Sequence, residues 1–416
     1  MRPDFRYLIL LWLACLVACS IINLFYFPHA TIFPDEQRFL ASAARLAATG
    51  EFWVGDDRAW EMPGTAAFFA PVVWLFGANG AVLPIRIAQA FLLVVQSALI
   101  AFTALRIFGK STTALVAASI VSFYPFFLFY QGLLLSEALF NTLLLAAIAS
   151  LYLWRDRGLR VDLAFVVSCL CFVAATLTKS TLTILPPLLI AATAWAAGAQ
   201  LRRVFIILLA ASCLYAAFMS PWWIRNATLL GTFVPFTTGS ALNLYLGNNS
   251  HNPEAGIDWA SDVEPGVFAT ILALPNEMER QRAFGEAAMN YIKNNPTAFI
   301  RAAVKKFVRF WNVIPNAREF KSGLYSVISA ASFGPILLLA LICVVRRWRQ
   351  WRLVVPLYLL IGYFTLVHVI TIASLRYRLP IEPILILLAA EPLGALFERI
   401  RQRVIRPAKK SGSPQC

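Results

Sequence analysis

Charge is what this 416-residue chain has little of: 14% of its residues are charged, against 60% hydrophobic, and its mean hydropathy is +0.70. A soluble domain is about one quarter charged and about half apolar, so the balance excludes an ordinary soluble fold and points to a polytopic membrane protein. Cysteine is present, but not where it could staple or ligate. Cys15, Cys19, Cys169, Cys171, Cys213 and Cys343 sit inside apolar runs and Cys416 is the last residue, which argues against a disulfide framework or a metal finger. Cys169 and Cys171, although spaced C-x-C, read as small packing residues. No glycine-rich loop followed by lysine is found, so no nucleotide site is expected. Nor is there an internal repeat with broken spans, the pattern of a secondary transporter. The net charge of +15 would suit nucleic acid, but the Lys and Arg residues lie between apolar runs, as a topology signal does, and no nucleic-acid partner is expected.

A spanning helix takes about 20 mostly apolar residues. By that ruler about ten spans fall near 7–27, 83–107, 112–129, 137–154, 161–178, 181–198, 203–220, 323–345, 353–371 and 380–397. The first is read as an uncleaved anchor, because no small-residue cleavage site follows it. Arg2 and Arg6, Arg106 and Lys110, Arg155 to Arg160, Arg202 and Arg203, Arg346 to Arg352 and the basic tail all fall on one side of ten spans. That side is expected to be cytoplasmic and to hold both termini. The chain then divides into an N-terminal transmembrane module (1–220) with a first outer loop (28–82), an outer segment (221–322), and C-terminal spans with a basic cytoplasmic tail (323–416).

What charge there is on the outer side is concentrated. Asp35 and Glu36 stand together just after the first apolar run, and acids placed beside a bilayer are functional candidates by default. Residues 36–49 put Phe39, Leu40, Ala43, Leu46 and Ala47 on one stripe, opened by Pro34 and closed by Gly50, which predicts an interfacial helix. Asp35 would then suit the cap of that helix as well as a reaction. Glu61 precedes Met62-Pro63-Gly64 and an apolar run, Thr65 to Phe76, too short to span. A second interfacial or re-entrant helix is expected there. Glu137 is an isolated acid between apolar neighbours and should face a protein cavity or a bound cation. Lys179 marks a tight outer turn, where it can snorkel to headgroups or contact substrate.

The outer segment opens with Trp222 and Trp223 at headgroup level, followed by Arg225 and Asn226. An arginine fixed there suits a lipid phosphate as well as simple anchoring, because its fork pairs bidentately with phosphate oxygens. Two amphipathic helices are expected near 276–294 and 296–312, broken at Pro296, the second on the membrane surface. The last outer turn, Arg376-Tyr377-Arg378-Leu379-Pro380-Ile381-Glu382, carries more charge than topology requires.

In order and side, Asp35-Glu36-Gln37-Arg38-Phe39, Glu61-Met62-Pro63-Gly64, Pro221-Trp222-Trp223-Ile224-Arg225-Asn226 with the later Gly247-Asn248-Asn249, and Arg376-Tyr377-Arg378-Leu379-Pro380 resemble the C-superfamily (GT-C) of polytopic glycosyltransferases. The likeness is to the branch related to dolichyl-phosphate-mannose protein mannosyltransferases (glycosyltransferase family 39) and the aminoarabinose transferase of lipid A. It implies an all-α bundle of about ten transmembrane helices with interfacial helices in the first outer loop. It also implies transfer of one sugar, with inversion, from a polyprenyl-phosphate donor to a protein, lipid or glycan acceptor. The expected setting is a bacterial inner membrane, with the site facing the periplasm. Asp35 is implied as general base, with Glu36 and Glu61 orienting it or the sugar. Arg225 with Arg376 or Arg378 would stabilise the leaving phosphate, and a divalent cation could bridge Glu61, Glu137 and phosphate. Where the aminoarabinose enzymes resemble Lys-Pro-Pro after the glutamate this chain has Met62-Pro63-Gly64, so the phosphate contact passes to Arg225 or Lys179. The competing class, a transporter or flippase of a lipid-linked saccharide, calls for ionisable groups at midplane, whereas these acids lie at the outer rim.

Overall fold

The computed structural model describes residues 5–27, 30–252, 256, 262–315 and 323–405. Among the described residues the chain is helical, and its β structure is one isolated bridge, Val54 with Asp57. The N-terminal part runs α1 (Phe5–Phe25), α2 (Pro34–Thr49), α3 (Gly64–Gly80), α4 (Val82–Phe108), α5 (Ser111–Phe123), α6 (Pro125–Tyr130), α7 (Glu137–Asp156), α8 (Leu163–Thr178), α9 (Leu185–Ala196) and α10 (Leu201–Leu230). The long segment carries α11 (Ser240–Gly247), α12 (Pro265–Leu272), α13 (Glu277–Asn294) and α14 (Pro296–Trp311). The chain then continues through α15 (Gly323–Arg346), α16 (Trp351–Ile370), the short α17 (Leu375–Arg378) and α18 (Glu382–Ile405).

Each of the ten apolar runs is helical, and the chain is a helical polytopic membrane protein. Among the described residues six helices are long and apolar enough to cross a membrane: α1, α4, α7, α10, α15 and the helix ending at Ile370. α5, α8 and the stretch ending in α9 are apolar but shorter. Proline explains two departures from the expected boundaries. Pro125 cannot donate to the ladder and holds Tyr124 extended, so the run at 112–129 breaks into α5 and α6. Pro221 instead lies inside α10, which continues ten residues past the expected end at 220 and stops at the left-handed Gly231. The tryptophans and Arg225 thus ride on a helix rather than opening a loop.

The bundle has a packed apolar centre and an exposed apolar rim. α7 packs against α4 and α8 and is mostly buried, whereas α1, α10 and α15 turn side chains such as Leu10, Val17, Leu209 and Leu338 outward. At the end of α6 the chain leaves the helix for residues 131–136, buried among helices. Irregular backbone at such depth must be satisfied by protein. Gln89 Nε2 donates to the carbonyls of Gln131 (2.7 Å) and Leu133 (2.8 Å), and Arg86 Nε to that of Gly132 (2.7 Å). Gly132 is required by packing, since a β-carbon there would stand 2.0 Å from the Phe27 ring. This held segment delivers Glu137 to the first turn of α7.

The first loop and the long segment are latched together. Arg225 donates to the carbonyls of Phe52 and Arg58, Glu277 accepts from the amides of Arg58 and Ala59, and Arg280 pairs with Asp57. Gly247 lies so close to the Thr371 carbonyl that a β-carbon would overlap it at 1.8 Å, which seats α11 against the end of α16.

Candidate active site

Six side chains from five separate stretches of the sequence form one ionic chain. Asp35, on the first turn of α2, accepts from Arg376 Nη1 at 2.6 Å and pairs with Arg38 Nη1 at 3.0 Å. Arg38 reaches on to Glu61 at 2.6 Å. On its other side Arg376 donates through Nε to Glu137 at 2.5 Å, and Lys179 Nζ meets the same Glu137 oxygen at 3.0 Å. Three carboxylates and three cations therefore meet where α2, α7, the α8–α9 turn and α17 converge. Exposure is graded along the chain: the Glu137 side chain is 2% exposed and that of Asp35 32%, so Asp35 is the acid a substrate can reach. Burial alone would raise the Asp35 carboxyl, but Arg376 and then Arg38 outweigh it and hold it below the usual carboxylate range. Burial dominates at Glu61 and pushes it up, against the opposing pull of Arg38.

The structure redistributes the roles of the neighbouring acids. α2 starts at Pro34 with Phe33 as its cap residue, and the acid that closes the cap is Glu36, not Asp35. Glu36 is fully buried. One of its oxygens accepts from the amides of Ile32 (2.8 Å) and Phe33 (2.9 Å), and the other from Leu134 (2.9 Å), so it ties α2 to the held segment before α7. Its oxygens are turned from the ionic chain. Removing them strands three amides at about 1–3 kcal/mol each. Glu36→Ala is accordingly expected to lower the melting temperature of the solubilised protein more than Asp35→Ala does, and equal melting temperatures would refute this anchoring role.

Glu137 does have cations, and they are Arg376 and Lys179. Lys179 is turned inward to this pair, not out to headgroups, with its ammonium over the Phe140 ring. Arg225 and Asn226 depart from expectation. The Arg225 guanidinium, beside Trp222, is spent on two carbonyls and the Asn226 side chain, and Asn226 donates to the Val234 carbonyl, so both fasten loops and neither joins the ionic chain. Arg378 departs likewise: wholly buried over the Phe333 ring, it pairs with Glu382 at 2.7 Å and donates to the carbonyls of Phe310 and Asn312. It fixes α17, and with it the neighbouring Arg376. Tyr377 lies flat on His368, ring centroids 4.7 Å apart and 6° from parallel, beside Arg376.

For a divalent cation the donor set does not fit. The Glu137 carboxylate is already held by Arg376 and Lys179, and one oxygen of Glu61 by Arg38. Among the described residues no three His, Cys, Asp or Glu side chains are gathered as ligands. Sequence reasoning missed Arg38, although its position three residues after Asp35 on one helix face was the signal. It also missed the buried Lys306, which donates to Asn248 Oδ1 (3.0 Å) and the Ile370 carbonyl (3.2 Å) and which burial pushes down to about 8.

No family model matches the chain, and no curated protein matches it. Solved structures do. An Archaeoglobus fulgidus oligosaccharyltransferase tethered to an acceptor peptide containing the NVT sequon aligns over 99% of this chain and 52% of its own, with TM-score 0.60 and 11% identity. The archaeal oligosaccharyltransferase AglB from Archaeoglobus fulgidus, in complex with an inhibitory peptide and a dolichol-phosphate, aligns over 97% and 52%, with TM-score 0.58 and 12% identity. ArnT from Cupriavidus metallidurans bound to undecaprenyl phosphate aligns over 93% and 78%, with TM-score 0.45 and 15% identity. The chain spans about half the length of the oligosaccharyltransferase structures it matches. What it shares with the two oligosaccharyltransferases is architecture, a GT-C-like helical bundle.

Proposed function

We propose that this chain is a membrane glycosyltransferase that moves one sugar, with inversion, from a polyprenyl-phosphate carrier to an acceptor hydroxyl on the outer face. The observation that carries the reading is the Arg376 guanidinium, shared between the reachable carboxylate of Asp35 and the buried carboxylate of Glu137. It supplies, side by side, a base and a cation for the two ends of a displacement. The acceptor oxygen attacks the anomeric carbon while Asp35 takes its proton. The bond from that carbon to the phosphate oxygen breaks, and its electron pair leaves on the phosphate, whose charge Arg376 and Lys179 stabilise. Donor phosphate and Asp35 compete for Arg376. Donor arrival therefore loosens the pair, lifts the carboxyl from its depressed state and makes Asp35 a stronger base when it is needed. Glu61 holds Arg38, Glu36 positions α2, and Tyr377 offers a ring face beside the reaction. No step is routed through a metal.

The test is the purified chain in liposomes with a radiolabelled polyprenyl-phosphate sugar and a crude envelope acceptor fraction. Label passing to the acceptor, with carrier phosphate left behind, supports transfer. Label crossing the bilayer still on its carrier, with none transferred, overturns this reading in favour of a flippase.

A further inference from the structure

Apart from the ionic chain, the first loop presents a second arrangement, two arginines on one aromatic ring. Val54 and Asp57 exchange both backbone hydrogen bonds (2.9 and 3.0 Å) around the left-handed Gly55, so Trp53 and Arg58 flank a closed turn. Both the Arg58 guanidinium and that of Arg45 on α2 lie over the Trp53 indole, Arg45 at 4.8 Å from the ring centroid. Neither arginine has a carboxylate partner among the described residues; Glu51 and Asp56 nearby are exposed and Asp57 is committed to Arg280. The turn is fixed from behind, since Glu277 holds the Arg58 amide and Arg225 its carbonyl. A guanidinium lying on an indole keeps its N–H edge free for oxyanions, and two of them on one fixed ring form a ready phosphate clamp.

We infer that Arg45, Trp53 and Arg58 form a second anion subsite that grips a phosphate group. Arg45 is ten residues along α2 from Asp35, about 15 Å at ~1.5 Å per residue. The subsite thus lies at the far end of the helix that carries the proposed base, too far to hold the reacting phosphate. Its ligand is a phosphate on the acceptor or on a neighbouring lipid headgroup. Only that assignment to an acceptor rests on the transfer reading; the binding does not.

The experiment titrates inorganic pyrophosphate into the full chain in phosphatidylcholine nanodiscs, followed by calorimetry. Saturable binding is expected, weakened tenfold or more by Arg45→Gln with Arg58→Gln, and unchanged by Arg349→Gln with Arg352→Gln at the α15–α16 junction. Trp53→Leu keeps both charges and is expected to weaken binding several-fold; it decides alone if the arginine pair variant does not melt as wild type does. The arginine pair variant leaves Arg376 and Lys179 in place, so a loss of binding there separates this site from the proposed chemistry. No saturable binding by wild type, or wild-type affinity in both the arginine pair and Trp53→Leu, overturns the proposal. Discs containing phosphatidylglycerol tell the sources apart: suppressed binding assigns the site to headgroups, unchanged binding to a phosphate on the acceptor.

Discussion

Asp35→Asn is expected to lower sugar transfer by ~10²- to 10⁴-fold while the protein folds, inserts and binds donor, because the amide cannot take a proton but keeps the shape of the carboxylate. The fold should survive: the cap of α2 is made by Glu36, and Asp35 is the most open of the three acids. The pH profile sharpens the test. A carboxyl held below the usual range stays ionised as pH falls, so in the free enzyme the acid limb of kcat/KM due to Asp35 should lie below ~3.9, the ordinary aspartate value. Arg376 and Arg38 cause that depression, so replacing either should move the limb upward. Glu61, raised by burial, takes a proton first, which loosens Arg38. A modest loss is therefore expected at mildly acid pH, ahead of the main limb. Transfer by Asp35→Asn at or near the wild-type rate would remove Asp35 from the chemistry.

The fold was legible because its main signal is local. An apolar run of spanning length can satisfy its backbone only as a helix, and Pro34, Gly50 and Pro296 punctuate helices where expected. The site was legible in composition and not in pairing. Asp35, Glu137, Lys179 and Arg376 could be picked out singly, because each is a charge that an apolar neighbourhood does not explain. Nothing local shows that Arg376 reaches an aspartate 341 positions away. The same rule that found them also selected Arg225 and Arg378, whose charge is spent on backbone carbonyls and on Glu382. An arginine that neutralises a buried loop and one that awaits a phosphate look alike in sequence, and only the partner tells them apart. Asp35 and Glu36 make the point at one residue's separation. A helix turns successive side chains by about 100°, so one acid faces the site and the other the backbone behind it.

Arg376→Met is expected to cost both stability and activity, and the two losses should separate in a double variant. The methionine leaves Glu137, 2% exposed, with Lys179 as its remaining ion-pair partner among the described residues, and removing one member of a buried pair costs about 3–5 kcal/mol. Transfer should fall by ~10²- to 10³-fold or more, the loss found when one preorganised donor to a developing anion is deleted. Adding Glu137→Gln removes the stranded charge, so the double variant should regain most of the lost melting temperature. It should regain none of the rate, because the cation at the leaving phosphate is still missing. Arg376→Lys keeps a charge without the fork that serves two carboxylates at once and should fall between. If the guanidinium were a purely structural tie between α17 and α7, rate and stability would recover together in the double variant, and that result would take Arg376 out of the catalytic centre.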